Sequence, residues 1–340
     1  MTAALRQDAA PMAAPAESPL VSVEGLTVRF RGGDGEINAV NGVDFTLERG
    51  KVLTILGESG SGKSVTLKAM MRLHPPRRTR YGGAIRIGGR DILSLSEREL
   101  GQVRGSVVSM IFQEPMLAFD PVYTIGRQIA ETVVRHEGVS YRDAEKRALE
   151  LLELVQIPSA ARRLKAYPHE MSGGMRQRAM IALALSCRPD LLLADEPTTA
   201  LDATVQMQVL VLLRQLQREM GMAVIFVTHD MGVAAEIADH VAVMYAGRFI
   251  EAGPVGDVIG QRLHPYTEGL LASPVHGASR GERLQTIPGA PPNLARLPSG
   301  CSFAPRCRYV DARCRETDVP LFRPAPGHAA RCLRIDRERS

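Results

Sequence analysis

The chain has 340 residues, 45% hydrophobic, 4% aromatic and 23% charged, with a net charge of +5. That length suits one large domain with appendages, or two domains, and its longest apolar run, Ala179–Leu185 with seven residues, falls far short of the ~18 of a membrane span, so any membrane role is peripheral. The charge distribution argues against a nucleic-acid partner: residues 276–340 hold 12 Arg and 6 acidic residues, leaving 30 Lys and Arg against 31 Asp and Glu elsewhere, whereas such a binder carries its basic patch on the working domain.

Residues 1–18 are rich in Ala and Pro but broken by Arg6, Asp8 and Pro11. They lack the apolar core of a signal peptide and predict a disordered arm on a cytosolic protein. Residues 21–47 read as β-rich, with Leu26, Val28 and Phe30 alternating with polar residues and a turn at Gly32-Gly33-Asp34-Gly35. Val52–Leu56 is a short apolar run suited to a buried parallel strand. A Gly-rich loop and a helix follow it, and the helix must stop before Pro75-Pro76.

Val107–Phe112 reads as a further strand and 123–157 as helical, with Ala148, Leu151, Leu152 and Val155 at i, i+3, i+4, i+7. Helix 175–186, strand Leu191–Ala194, helix 203–219, strand Ala223–Val227, helix 231–239 and strand Val241–Tyr245 then alternate. Strands alternating with helices predict an α/β fold with a parallel sheet, and about 114–170 reads as a helical insertion within it. From residue 274 Pro, Gly and Arg accumulate and periodicity fades, which predicts a separate, loop-rich C-terminal module over 274–340.

Gly57-Glu58-Ser59-Gly60-Ser61-Gly62-Lys63-Ser64 fills every fixed position of the P-loop pattern, between a strand and a helix. Its glycines let backbone N–H groups turn onto phosphate oxygens, and the helix start through Val65 adds partial positive charge. Lys63 would reach the β/γ-phosphates and the Ser64 hydroxyl would ligate Mg²⁺. A Gly/Ser-rich loop without function is the plain alternative, and a P-loop alone does not separate a kinase, a GTPase and a transporter ATPase.

Residues 171–202, MSGGMRQRAMIALALSCRPDLLLADEPTTALD, narrow the choice. The run resembles the signature, Walker B and D-loop segment of the ATP-binding-cassette (ABC) ATPases. The fold expected is therefore a P-loop NTPase of ABC type over 19–273: a parallel RecA-like core, an antiparallel β-subdomain and the helical insertion. Asp195, at the carboxyl end of its strand where α/β sheets put ligand groups, would hold Mg²⁺. Glu196 would be the general base for the attacking water. As plain helix N-caps these carboxylates make sense singly, but not as a pair preceding Pro197.

The resemblance implies further roles. His229 matches the switch histidine that contacts the γ-phosphate, although a lone histidine after a strand is commonly structural. Gln113 matches the Q-loop, where an amide can ligand Mg²⁺ or the water. Phe30 is the candidate to stack on adenine, its alternative being a core aromatic. Ser172, Gly173 and Gly174 would grip not this chain's nucleotide but one bound by a partner, while Ser172 can equally be an ordinary N-cap. Leu201 and Asp202 belong to the D-loop of the dimer. Met175 stands where the wider family commonly has Gln, as in the peptide-importer branch.

His264-Pro265-Tyr266-Thr267, Ile287-Pro288-Gly289-Ala290-Pro291-Pro292-Asn293-Leu294 and Gly300-Cys301 resemble the C-terminal extension of oligopeptide/dipeptide importer ATP-binding subunits. Cys187 reads as a small hydrophobe. Cys301, Cys307, Cys314 and Cys332 are spaced C-x₅-C-x₆-C-x₁₇-C. Four thiolates suit a Cys₄ zinc site or a [4Fe–4S] cluster, or the tail binds no metal. Arg306, Arg308, Arg313, Arg315 and Arg331 lie around them in sequence and would offset the charge of a thiolate-bound cluster, and the resemblance favours iron.

The resemblance thus implies an ATPase, using ATP and Mg²⁺, that powers peptide import at the cytoplasmic face of a bacterial inner membrane. Its partners would be a second ATPase subunit, identical or paralogous, two transmembrane permeases and an extracytoplasmic binding protein. The alternatives are the same machine with another cargo (nickel, opines or glutathione-like peptides) or a soluble ABC ATPase acting on DNA or ribosomes.

Overall fold

The computed structural model describes residues 18–32, 35–199, 201–272 and 287–337. The expected N-terminal arm therefore lies outside the described residues, except for Ser18. Strands β1 (Val21–Gly32) and β2 (Gly35–Leu47) pair antiparallel until Gly32 faces Gly35. Strand β3 (Val52–Leu56) leads through the P-loop into helix α1 (Lys63–Met70). Strands β4 (Thr79–Ile87) and β5 (Arg90–Asp91) complete a four-stranded sheet of order β2-β1-β4-β5. Helix α2 (Glu97–Val103) follows, opened by a capping box in which Ser96 and Glu99 satisfy each other's backbone N–H.

Strand β6 (Val108–Ile111) gives way to helices α3 (Pro115–Ala118), α4 (Ile125–Glu137), α5 (Tyr141–Leu154) and α6 (Ala160–Arg163). The helical reading of 123–157 thus resolves into two helices. Gly138, at φ 68°, ends α4 in a left-handed cap, and Ser140 restarts the chain by accepting the Asp143 N–H at the start of α5.

Helix α7 (Gly173–Leu185), strand β7 (Leu191–Asp195), helix α8 (Ala203–Met220), strand β8 (Ala223–Thr228), helix α9 (Met231–Ile237) and strand β9 (His240–Tyr245) then alternate. Strands β9, β3, β8, β7 and β6 lie side by side in parallel. They are covered on both faces, which explains their unbroken apolar runs. Alternate residues serve different cores. Leu191, Leu193, Ile225 and Val227 pack toward the antiparallel sheet and α1, whereas Leu192, Ala194, Val224 and Phe226 pack toward α7, α8 and the helical insertion.

Past β9 the chain forms β10 (Arg248–Pro254), α10 (Val255–Gln261), α11 (Pro265–Ala272), α12 (Arg313–Glu316), β11 (Phe322–Ala325), β12 (His328–Ala330) and α13 (Arg334–Arg337). The stretch expected as a C-terminal module adds strands to the cassette's sheet. Strand β12 pairs with β10, so the large sheet has eight strands in the order β11-β12-β10-β9-β3-β8-β7-β6. A third core joins Leu56, Val243 and Tyr245 of the cassette to Tyr266 and Phe303. The tail reads as loop because its strands are only four and three residues long, too short for periodicity to register.

Candidate functional site

The P-loop turns at the carboxyl end of β3 with Gly57 at φ 156° and Gly62 at φ 109°. Both glycines are required. A Cβ on Gly57 would collide with the Met244 carbonyl, and one on Gly62 would sit 2.5 Å from the Ala39 carbonyl oxygen. The loop floors a cavity of about 690 Å³ lined by Gly57, Glu58, Ser59, Gly60, Gly62, Lys63, Ser64, Val65, Gln113, Glu196 and His229. Ala39 lines it too, as do Leu270 and Leu294 from beyond the parallel core. Ser61 is buried beneath.

Lys63 is 4% exposed and donates from Nζ to the carbonyls of Gly57 (2.7 Å) and Glu58 (3.0 Å), with Glu196 Oε1 at 3.8 Å. Burial pulls its ammonium below the usual lysine range, against the neighbouring carboxylates. The Ser64 hydroxyl donates to Asp195 Oδ1 at 2.7 Å. Burial raises the Asp195 carboxyl above the ordinary range, against that hydrogen bond.

Glu196 has a left-handed backbone, φ 45°, a conformation that costs a residue with a Cβ roughly 1–2 kcal/mol. Its N–H is tied to the Val227 carbonyl at 3.0 Å. Glu196 Oε2 accepts from Thr199 Oγ1 (3.0 Å) and Gln113 Nε2 (3.3 Å) and lies 3.4 Å from His229 Nδ1. The His229 contact, helped by Thr199, holds the Glu196 carboxyl below its usual range despite partial burial. The same contact raises His229. A strained backbone and convergent donors thus meet at this one carboxylate. Sequence reasoning missed Thr199, whose one signal is its place three residues on in the tight turn after Pro197.

The remaining candidates lie elsewhere. Phe30 is not among the cavity-lining residues; its ring meets His74 edge-on with centroids 5.1 Å apart. Ser172 caps α7 by accepting the Met175 N–H, and Ser172 and Gly173 are exposed, outside this chain's own cavity. Asp202 caps α8 by accepting the Val205 N–H at 2.9 Å, and Leu201 packs against the core.

Cys301, Cys307, Cys314 and Cys332 are unpaired and line one cavity of about 270 Å³, together with His264, Phe303 and Tyr309. Among the described residues no group of three or more His, Cys, Asp or Glu is arranged to hold a metal ion. Burial pushes the thiols of Cys301 and Cys307 up, and that of Cys332 up to about 11. The expected ring of five arginines also needs correcting. Of the five only Arg331 lines the cavity, joined by Arg334, while Arg308 turns to Glu268 and Arg306 to Glu58.

The described residues hold no helix long and apolar enough to cross a membrane. Residues 40–199 match the family described as "ABC transporter", and 250–314 match "Oligopeptide/dipeptide transporter, C-terminal region". A Brucella abortus protein named for peptide import and ATP binding is 49% identical over 315 residues, covering 93% of this chain and 95% of its own. A similarly named Brucella ovis protein is 49% identical over 329 residues, covering 93% and 97%. Among solved structures, a dimeric ATP-binding cassette in a post-hydrolysis state with ADP and Pi is 29% identical with a TM-score of 0.62, covering 69% of this chain and 98% of its own. A Clostridium perfringens cassette that is part of an ABC transporter complex is 27% identical, also at 0.62, covering 72% and 92%. This chain therefore belongs to the ATP-binding subunits of the oligopeptide/dipeptide ABC importers, whose ATP hydrolysis powers import through a membrane permease.

Proposed function

We propose that the chain's own nucleotide is held and hydrolysed by Lys63, Ser64, Gln113, Asp195, Glu196 and His229, while Ser172–Gly174 serve the nucleotide of a second ATPase subunit. The carrying observation is the single carboxylate of Glu196, which gathers Gln113, Thr199 and His229 at the wall of the P-loop cavity. The exposed start of α7 is not among that cavity's lining residues and needs a partner to find a phosphate.

The P-loop amides and the start of α1 bind phosphate oxygens, and Lys63 leaves its two carbonyl partners for the β/γ-phosphates. Ser64 and Asp195 fit Mg²⁺. Their oxygens lie 2.7 Å apart, near the ~3 Å between neighbouring ligands of an octahedral ion with ~2.1 Å bonds. Bound there, Mg²⁺ supplies charge neutralisation at the phosphates. Glu196, kept ionised by His229 and Thr199, orients the attacking water and takes its proton, and Gln113 steadies the carboxylate. Glu196→Gln in the assembled transporter is expected to lower ATP turnover by about 10²–10⁴-fold while ATP still binds. Turnover at the wild-type rate refutes the assignment.

The complex contains a second ATPase subunit, two permeases docked on the helical insertion and an extracytoplasmic binding protein, with this chain peripheral at the cytoplasmic face. The four tail cysteines hold a [4Fe–4S] cluster. In support, all four line one cavity. Burial raises the thiols of Cys301, Cys307 and Cys332, which stay protonated until a cation draws off the protons. Anaerobically purified protein is expected to contain iron and the thiolate–iron charge-transfer absorbance; the absence of both refutes the cluster.

A further inference from the structure

Glu58, the first variable residue of the P-loop, is held from the C-terminal extension. Arg306 reaches it with two parallel hydrogen bonds, Nη1 to Oε2 at 2.6 Å and Nη2 to Oε1 at 3.0 Å. The Arg306 side chain is 4% exposed. Its Nε donates to the Pro288 carbonyl at 2.9 Å, its Nη2 to the Ile287 carbonyl and its Nη1 to Tyr245 Oη, both at 3.4 Å. The Glu58 N–H donates to Tyr266 Oη at 2.8 Å. Glu58 is thus gripped at its carboxylate and its amide, while its carbonyl accepts from Lys63 Nζ.

We propose that Arg306 is a positioning residue for the nucleotide site: through Glu58 it sets the P-loop conformation that receives ATP, and so couples the tail to ATP affinity. The inference rests on the nucleotide site proposed above. A bidentate guanidinium fixes the direction of a carboxylate as well as its charge. Without Arg306 the half-buried Glu58 anion would stand unneutralised beside the phosphate site. The loop carrying the Gly57 and Glu58 carbonyls, which hold Lys63, would also lose one of its two anchors, keeping only the Tyr266 contact.

The far end of the connection is the cysteine cavity. Arg306 closes a short 3-10 turn, Ala304–Arg306, that runs straight into Cys307. Phe303, just before the turn, stacks edge-on to Tyr245 and Tyr266 and lines that cavity. Leu294 of the same extension lines the nucleotide cavity. Coupling between two sites is reciprocal, so ATP binding must in turn order the turn at Ala304–Arg306.

The test uses the full chain, a fluorescent ATP analogue and steady-state hydrolysis in the assembled transporter. Arg306→Met, which keeps the packed stem, is expected to raise Kd and KM for ATP by about tenfold, with kcat changed less than about twofold. Arg306→Lys falls between wild type and Met. Arg306→Met/Glu58→Gln binds ATP no more weakly than Arg306→Met alone, because the arginine acts through the carboxylate. Hydrogen exchange over 303–307 slows on adding ATP in wild type and not in Arg306→Met.

An unchanged Kd in folded Arg306→Met, a fall in kcat with KM unmoved, or additive losses in the double variant overturns the proposal. If Arg306→Met does not fold, Glu58→Gln carries the test: its ATP affinity falls at least threefold, or the proposal is wrong. Lys63→Ala separates the premises. If that variant binds ATP like wild type, the nucleotide-site reading fails; if it loses binding while Arg306→Met keeps it, only the present inference fails.

Discussion

Strand β12 is locked to the sheet by a buried pair whose removal should free the tail selectively. His328 Nε2 lies 2.9 Å from Glu251 Oε1, and both side chains are fully buried. The same carboxylate accepts the N–H groups of Leu263 and His264, each at 2.9 Å. His328→Ala removes one of these three donors, a hydrogen bond to a charged group worth about 1.5–3 kcal/mol. The imidazole ring packs on Gly253, and losing it leaves a void of roughly 60 Å³, a further ~1.4 kcal/mol at about 24 cal/mol per Å³. The sum, about 3–4.5 kcal/mol, is two to three powers of ten at ~1.4 kcal/mol per decade.

Hydrogen exchange of the segment containing β11 and β12 measures this directly, because local opening sets the rate there. Exchange should quicken by about 10²–10³ while the β3 and β8 amides hold. The control is Glu24→Ala, which removes an exposed, solvent-screened ion pair with Arg86 and should leave the protection of β12 unchanged. Equal effects from the two variants, or unchanged protection of β12 in His328→Ala, would refute the reasoning that the buried pair anchors the tail.

Asp195→Asn should abolish Mg²⁺-dependent hydrolysis yet raise the melting temperature of the nucleotide-free protein. The carboxyl's folded-state pKa is raised by burial, so its ionised form destabilises the fold; wild type should lose stability as pH climbs from the ordinary carboxylate value through the raised one, and the variant should not. In Glu196→Gln the His229 imidazole should titrate at lower pH by NMR, since Glu196 is the leading cause of its upward shift; an unmoved titration removes the electrostatic pairing. In wild type that pairing holds in the window above the lowered Glu196 pKa and below the raised His229 pKa. Gly62→Ala, at φ 109° against the Ala39 carbonyl, should weaken ATP binding by about 5- to 150-fold through about 1–3 kcal/mol of loop strain, as read by nucleotide titration of the folded variant.

Much of the site was legible because its chemistry depends on spacing within a few residues. Gly57 to Ser64 spell the P-loop since the backbone turn and the helix start are adjacent in sequence, and Asp195-Glu196 ends an apolar strand where ligand groups collect. The parallel strands were legible for a similar local reason: burial on both faces leaves an unbroken apolar run. Strand β4 gave no such signal. Its register with β1 is broken between Glu24 and Thr27, opposite Gly82 and Gly83, and glycines and arginines take four of its nine residues. The break between α4 and α5 was spelled by Gly138 and Ser140, but the heptad-like apolar spacing on either side masked it.

What no local pattern can carry is the contact between Arg306 and Glu58, 248 residues apart. Read in sequence, Arg306 is one of five arginines near four cysteines, and charge balance assigns it to them. In the fold, strand β12 continues the sheet beyond β10 and brings the tail's core against Leu56, the last residue of β3. That places the residues after Leu56, which are the P-loop, within reach of whatever the tail presents. The guanidinium there meets the Glu58 carboxylate, which offers two acceptor atoms at matching separation. The position of the tail on the sheet thus sets which partner Arg306 takes, and it makes the cysteine-bearing segment a neighbour of the P-loop.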